Sequence, residues 1–224
     1  MLSRLLRADD TRKSRFHTSK GTLVVSPDFF LALGSTLKRI LLGKYPVVPW
    51  LTYPAIRFLD VRLEGRRLFE FGSGSSTAWF AHRCREVVSV ENNPGWFEMV
   101  RARLSASPNT LLSCVETDAD MIQFIGKVGG KFDAVVVDSQ AANDGVDRTV
   151  IAERTRHDDN RVDCLRAAIP FASDDCIFII DNTDAHPNLD QALQLLFKDW
   201  KIMRFSGWAP GILHPNETTI ICRK

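Results

Sequence analysis

The chain reads as an α/β protein, a doubly wound and mostly parallel sheet closed at one edge by a terminal antiparallel hairpin and preceded by N-terminal helices. Two observations carry that reading. Between about residues 67 and 200, short β-rich runs alternate with helical patterns five times, an order that builds a parallel sheet with right-handed crossovers. The last two β-rich runs, 202–206 and 218–222, have no helical pattern between them, so they are expected to pair antiparallel at a sheet edge.

Seven strands are expected, over 67–71, 86–91, 111–116, 132–138, 176–181, 202–206 and 218–222. Several are nearly unbroken apolar runs, as strands covered on both faces are. Helices are expected over 77–83, 94–105, 119–128, 161–172 and 187–200. Two of them start on Asn-Pro or His-Pro, and the last places Leu189, Leu193, Leu196 and Trp200 at helical spacing. Upstream, Ser26 as N-cap and Pro27 at the first helical position open a helix that stops at Gly43, with Phe30, Leu33, Leu37 and Ile40 on one face. Lys38 and Arg39 suit the negative end of its dipole. A short second helix is expected over 54–63.

With 45% hydrophobic and 25% charged residues in 224, the chain can bury a full core, which excludes disorder or a fibre as an account of the whole. Its apolar stretches are broken well before the roughly 18 residues that a membrane span requires. The first twenty residues hold six Lys/Arg and two Asp, a net +4 against −2 for the remainder, without the apolar core of a signal peptide. Residues 1–20 are therefore expected as a flexible basic arm, either solvated or touching acidic lipid, RNA or a partner. Residues 21–224 are expected as a single domain, with 21–65 as its helical extension. Five cysteines, at 84, 114, 164, 176 and 222, form no C-x-x-C pair. Neither a disulfide framework nor a zinc knuckle is expected, and a reducing, cytoplasmic setting fits.

The turn Glu70-Phe71-Gly72-Ser73-Gly74-Ser75-Ser76-Thr77 joins the first strand to the first crossover helix. Glycines there let the backbone approach a ligand and present free N–H groups at a helix start. The dinucleotide fingerprint G-x-G-x-x-G would need glycine where Thr77 stands, and Glu70 would repel a pyrophosphate. Glu91 ends the second strand 19 residues after Gly72, where nucleotide-binding sheets place the carboxylate that holds two ribose hydroxyls. Asn92 flanks it, and Asp118 follows the third strand as a candidate helix N-cap. Asp138 closes the fourth strand, and Asp181 and Asn182 close the fifth.

Five βα units with a terminal hairpin, and the pattern acidic-x-G-x-G-x-small matched by Glu70, Gly72, Gly74 and Ser76, resemble the class I, Rossmann-like S-adenosylmethionine-dependent methyltransferases over about residues 66–224. The segments 69–77 and 160–164, with Asp181-Asn182, are most similar to a group of poorly characterised bacterial methyltransferase-like proteins. The resemblance implies the strand order 3-2-1-4-5-7-6 and S-adenosyl-L-methionine as cofactor. Its holders would be Glu70, Phe71, Gly72, Ser73, Gly74, Ser76, Thr77, Glu91, Asn92, Asp118 and Asp138. Glu70 would lie near the methionine amino group, Glu91 at the ribose and Asp118 at the adenine amine, a role compatible with capping.

In that order the fourth and fifth strands are neighbours about 4.8 Å apart, so Asp138, Asp181 and Asn182 converge over the substrate crevice. The trio is similar to the magnesium site of catechol-type O-methyltransferases, in which Mg2+ lowers the pKa of an acceptor hydroxyl. Unmetallated polar groups that cap strands and position substrate are the other reading. The link 139–160 is longer than that family's and reads as a lid or a solvated loop, with Arg148, Arg154, Arg156 and His157 available to an acidic substrate. Asp138, Asp181 and His186 are the candidate catalytic groups, His186 as a general base or merely as the entry to the helix at Pro187. Trp208 and His214 fall in the edge hairpin on the crevice side, and Trp50, Tyr53 and Trp79 are candidates for a pocket wall or for ordinary core.

The implied activity is S-adenosylmethionine-dependent methyl transfer to a small-molecule acceptor through oxygen. Asp138-Ser139-Gln140-Ala141 stands where many base N-methyltransferases carry N-P-P-Y, and the near-neutral core lacks the basic stripe of a nucleic-acid binder. A catalytically silent S-adenosylmethionine-binding regulatory module is the alternative. An NAD-dependent oxidoreductase is opposed by Thr77 and by the hairpin. A homodimer is compatible with the sequence.

Overall fold

The computed structural model describes residues 12–43, 47–104, 107–139, 160–186 and 188–224. Two helices come first, α1 (Asp28–Leu42) and α2 (Tyr53–Leu59), followed by β1 (Arg67–Phe71), α3 (Ser75–Ala81), β2 (Glu86–Glu91), α4 (Pro94–Arg103), β3 (Thr110–Cys114), α5 (Asp118–Val128) and β4 (Phe132–Val137). Then come α6 (Arg161–Ala168), a 3-10 turn (Ile169–Phe171), β5 (Ala172–Ile180), α7 (Leu189–Leu196), β6 (Trp200–Trp208) and β7 (Pro215–Arg223). The seven strands form one sheet in the order 3-2-1-4-5-7-6, parallel except where β7 pairs antiparallel with β5 and β6.

Alternation along the strands divides the core into two layers, because successive side chains point to opposite faces. Phe69, Phe71, Val135, Val137, Phe178 and Ile180 face α5, α6 and α7. Leu68, Val87, Val136 and Ile179 face α2 and α3, through Leu59, Trp79 and Phe80. Such double cover explains why these strands are apolar at nearly every position. Cys84, Cys164 and Cys176 lie within these layers, and burial pushes each thiol up to about 12.

Several boundaries differ from those the sequence suggests. β6 and β7 pair from Trp200↔Arg223 to Trp208↔Pro215, so polar positions such as Glu217 and Asn216 belong to strand rather than loop. β5 begins at Ala172 because Pro170, which lacks an N–H, ends α6 in a 3-10 turn. α1 ends at Gly43, whose φ of 62° suits glycine, but its buried side is Asp28, Ala32 and Thr36, while Phe30 and Leu37 face outward.

The segment expected as a flexible arm is docked from residue 12 onward. Phe16 meets Trp208 edge-on at 5.6 Å, and the Ser19 N–H donates to Asp184 at 2.8 Å. Lys20 bridges Asp190 at 2.6 Å and Glu217 at 3.1 Å. Lys20, expected within a flexible basic arm, therefore pairs with acids on β7 and in the first turn of α7. Residues 1–11 lie outside the described residues, as do 140–159 with Arg148, Arg154, Arg156 and His157, and Pro187. Among the described residues no helix is long and apolar enough to cross a membrane.

Candidate active site

The carboxyl ends of β1, β2, β4 and β5 open on one cavity of about 510 Å³, the position of the ligand crevice in open α/β sheets. Gly72, Ser73, Gly74, Ser75 and Ser76 form one wall, and Glu91, Asn92, Asn93 and Trp96 continue it. Asp138, Asp181 and Asn182 stand opposite, with Trp50, Ile212, His214 and Asn216 at the rim.

Packing rather than ligand approach makes Gly72 necessary. Its φ is 87°, and a Cβ there would lie 2.8 Å from the Cα of Ser139 and 2.9 Å from the carbonyl of Asp138, so the exit of β4 presses directly on the turn. Behind the turn lies Glu70, which alternation sends to the α3 side of the sheet. Its carboxylate accepts hydrogen bonds from the hydroxyls of Ser76 and Thr77, each at 2.6 Å, and Ser89 at 2.7 Å. Burial pushes Glu70 up to about 7, with the nearby charge of Asp138 adding to the rise, while the three hydroxyls oppose it. Thr77 completes the brace by accepting the Gly74 N–H at 2.9 Å.

Three of the expected cofactor holders turn their side chains away from the cavity. Glu70 is fully buried under the turn and does not line the cavity, so it braces the turn from behind. Thr77 is spent on Glu70 and Gly74, and the Phe71 ring packs on Phe69 in the core at 4.7 Å.

Glu91 faces the cavity and also staples it. Oε2 accepts the N–H and hydroxyl of Ser73, both at 2.9 Å, and Oε1 accepts the N–H groups of Asn92 at 3.1 Å and Asn93 at 2.9 Å. Burial raises its pKa and these bonds oppose the rise. Trp96 adds a second staple, its indole donating to the Ser73 carbonyl at 2.6 Å, and its ring lies 6.4 Å from that of Trp50 across the mouth. Asp118 stands one layer back, accepting from the Asn92 amide at 2.6 Å. It is not the cap of α5, since Thr117 caps through the Asp120 N–H at 3.1 Å.

On the opposite wall Asp138 and Asp181 end adjacent strands, as the strand order implied. Between them sits a residue that sequence reasoning treated as an ordinary helix start. Arg161 is 2% exposed; it donates through Nε to the Ser139 carbonyl at 3.1 Å and through Nη1 to the Asp181 carbonyl, and its Nη2 lies 3.5 Å from Asp138 Oδ1. Burial raises Asp138, and Arg161 and His186 draw it back down. Asp181 accepts from the Thr218 hydroxyl at 2.8 Å and is pushed up to about 8 by burial and then by Asp138.

The expected metal trio converges, but it does not fit a divalent cation. Magnesium demands a near-octahedral oxygen shell, whereas a fixed guanidinium already flanks Asp138 and Asp181 is held toward Thr218. Among the described residues no group of three His, Cys, Asp or Glu is arranged to hold a metal. His186 is not among the residues that line the cavity, and it helps draw Asp138 down. His214 does line it, with Nδ1 2.9 Å from Asn216 Oδ1. Of the aromatic candidates only Trp50 reaches the cavity. Trp79 is buried beneath Arg83, and Tyr53 packs against the cluster of Trp208, Val24 and Ala32.

No family model and no curated protein matches the chain. Solved structures do. An O-methyltransferase from Bacillus cereus in complex with SAH aligns with a TM-score of 0.55 at 15% identity, covering 91% of this chain and 94% of that one. TomG, an O-methyltransferase of tomaymycin synthesis from Streptomyces achromogenes in complex with SAM, aligns at 0.54 and 15% identity over 89% and 91%. The T. thermophilus 16S rRNA N2 G1207 methyltransferase RsmC aligns at 0.52 and 15% identity, over 89% of this chain and 43% of that one. The sheet order, the hairpin and these likenesses agree, and the chain has the fold of the class I S-adenosylmethionine-dependent methyltransferases.

Proposed function

We propose that the chain transfers the methyl group of S-adenosylmethionine to an oxygen of a small-molecule acceptor. One observation carries the reading: the stapled turn 72–76 with Glu91 faces Asp138 across a single cavity of about 510 Å³, a size in the ordinary range for small-ligand sites. Solved neighbours in complex with SAM or SAH support the cofactor.

The residues fit that cofactor. Glu91 and Asn92 would hold the ribose, and the N–H groups of the 72–76 turn would face the methionine end. A carboxylate has about four lone-pair sites, and those of Glu91 already take four bonds within the chain. The Ser73 hydroxyl is the rotatable one of the four donors, so a ribose hydroxyl takes its place. Bound, the cofactor supplies an activated methyl group on a sulfonium, ready for in-line displacement. The chain then has to align the acceptor and remove its proton. Asp138, pushed up by burial and drawn back down by Arg161 and His186, lines the cavity where it can do the second. Asp181, at about 8, keeps its own proton at pH 7, since burial and then the neighbouring Asp138 disfavour its charge. Arg161 fixes the strand ends that carry both.

Incubation with methyl-labelled S-adenosylmethionine and a panel of catechols, phenols and hydroxy acids tests the reading. Label is expected on oxygen, and Asp138→Asn is expected to abolish transfer while the protein still binds S-adenosylhomocysteine. Label entering ribosomal RNA and no panel member would contradict the small-molecule acceptor. Tight binding without transfer to either would favour the silent module.

A further inference from the structure

α1 turns a mixed face inward and an apolar face outward. Its inner face packs on the domain through Ala32 and Thr36, and Ser35 Oγ accepts the Gly211 N–H at 2.8 Å. On the outer face Phe30 is 72% exposed, Leu31 55%, Leu37 43%, Leu41 74% and Leu42 62%. The helical period gathers these five on one side, with only exposed Gly34 and Lys38 among them. A contiguous exposed apolar patch of this kind marks an interface.

We infer that a second copy of this chain covers this face, antiparallel and two-fold symmetric about Gly34. The size of the patch fits such a partner. At about 150–200 Å² for a fully exposed large apolar side chain, the five expose roughly 500 Å². Homodimer interfaces are about 65% apolar, so such a patch implies about 800 Å² per partner, that of a standard stable interface. The face is also self-complementary. A Cβ built on Gly34 meets nothing within 4 Å, so the facing backbone can come close at the axis. Antiparallel pairing about that point sets Leu37 against the partner's Leu31, and Lys38 against the partner's Phe30. Lys38 forms no ion pair among the described residues, and an ammonium over an aromatic face is a favourable contact.

A lipid surface fits less well. An interfacial helix carries exposed Lys and Arg on its polar face, whereas the side of α1 opposite the patch is packed on the domain, and Asp28 in its first turn is held by Arg57 at 2.9 Å. The inference does not rest on the methyltransferase reading.

Sedimentation velocity of the full chain at about 1–50 μM tests it. The wild type is expected at twice its 25.2 kDa mass. Leu37→Glu is expected to sediment as a monomer with an unchanged circular dichroism spectrum. Gly34→Leu keeps the test open should Leu37→Glu fail to fold. Leucine is the better helix former and should not harm the monomer, yet it should weaken the dimer at least tenfold. A monomeric wild type at 50 μM, whether or not it co-sediments with phosphatidylglycerol vesicles, would overturn the inference, as would a dimer that persists in both variants.

Discussion

Glu70 is fully buried beneath the turn, and its titration ties stability to pH. Its carboxyl rises from the ordinary 4.5 to about 7 because burial disfavours the charge. Between those values the folded chain keeps a proton that the unfolded chain loses, so this contribution is complete below about 4.5 and is lost as pH rises through about 7. A shift of that size is worth on the order of 3 kcal/mol. Glu70→Gln removes the titration but keeps the shape. The melting temperature of the wild type relative to Glu70→Gln is therefore expected to fall between pH 5 and pH 8; a constant difference would show that Glu70 does not titrate there. Residues at strand ends were legible in the sequence, since Glu91, Asp138 and Asp181 each follow a run of apolar strand positions. Arg161 was not, because its partners, Asp138 and the carbonyls of Ser139 and Asp181, lie just past the ends of two strands far from it in sequence. The available signal was a local conflict, a cation in the first turn of α6 against the helix dipole. Trp96 stands at the third position of α4, and nothing in the spacing points to its bond with the Ser73 carbonyl.

At the level of elements, the parallel sheet and its hairpin could be read from periodicity alone, because buried strands and amphipathic helices leave distinct patterns. What escaped was docking. α1 has apolar residues on every side, so periodicity assigned Phe30 and Leu37 to the core although both point outward. Residues 12–20 looked like a solvated charge run, while Lys20 meets Glu217 and Asp190 more than 160 positions away. The ends of β4 and β5 hold the clearest disagreement between resemblance and structure. The family likeness suggests magnesium at Asp138, Asp181 and Asn182, but a guanidinium already stands beside Asp138. Magnesium at millimolar concentration is accordingly expected to leave the melting temperature unchanged in a thermal shift assay. A rise in the wild type that vanishes in Asp181→Ala would return the metal to the site.

Across the whole molecule, the N-terminal extension, the hairpin and the cavity are mechanically joined. The Thr52 N–H donates to Thr218, whose hydroxyl donates to Asp181 at the cavity wall. Trp50 from the same segment faces Trp96 from the opposite wall. The two walls of the cavity thus belong to one packed unit, as the proposed methyl transfer would require of groups that must be aligned to within fractions of an ångström. The central claim is that this cavity takes S-adenosylmethionine with Glu91 at the ribose. Isothermal titration with S-adenosylhomocysteine, run beside NAD, tests it most directly. Saturable S-adenosylhomocysteine binding is expected, weakened at least tenfold, or about 1.4 kcal/mol, by Glu91→Ala, with no heat from NAD; binding of NAD alone, or an affinity indifferent to Glu91, would contradict the claim.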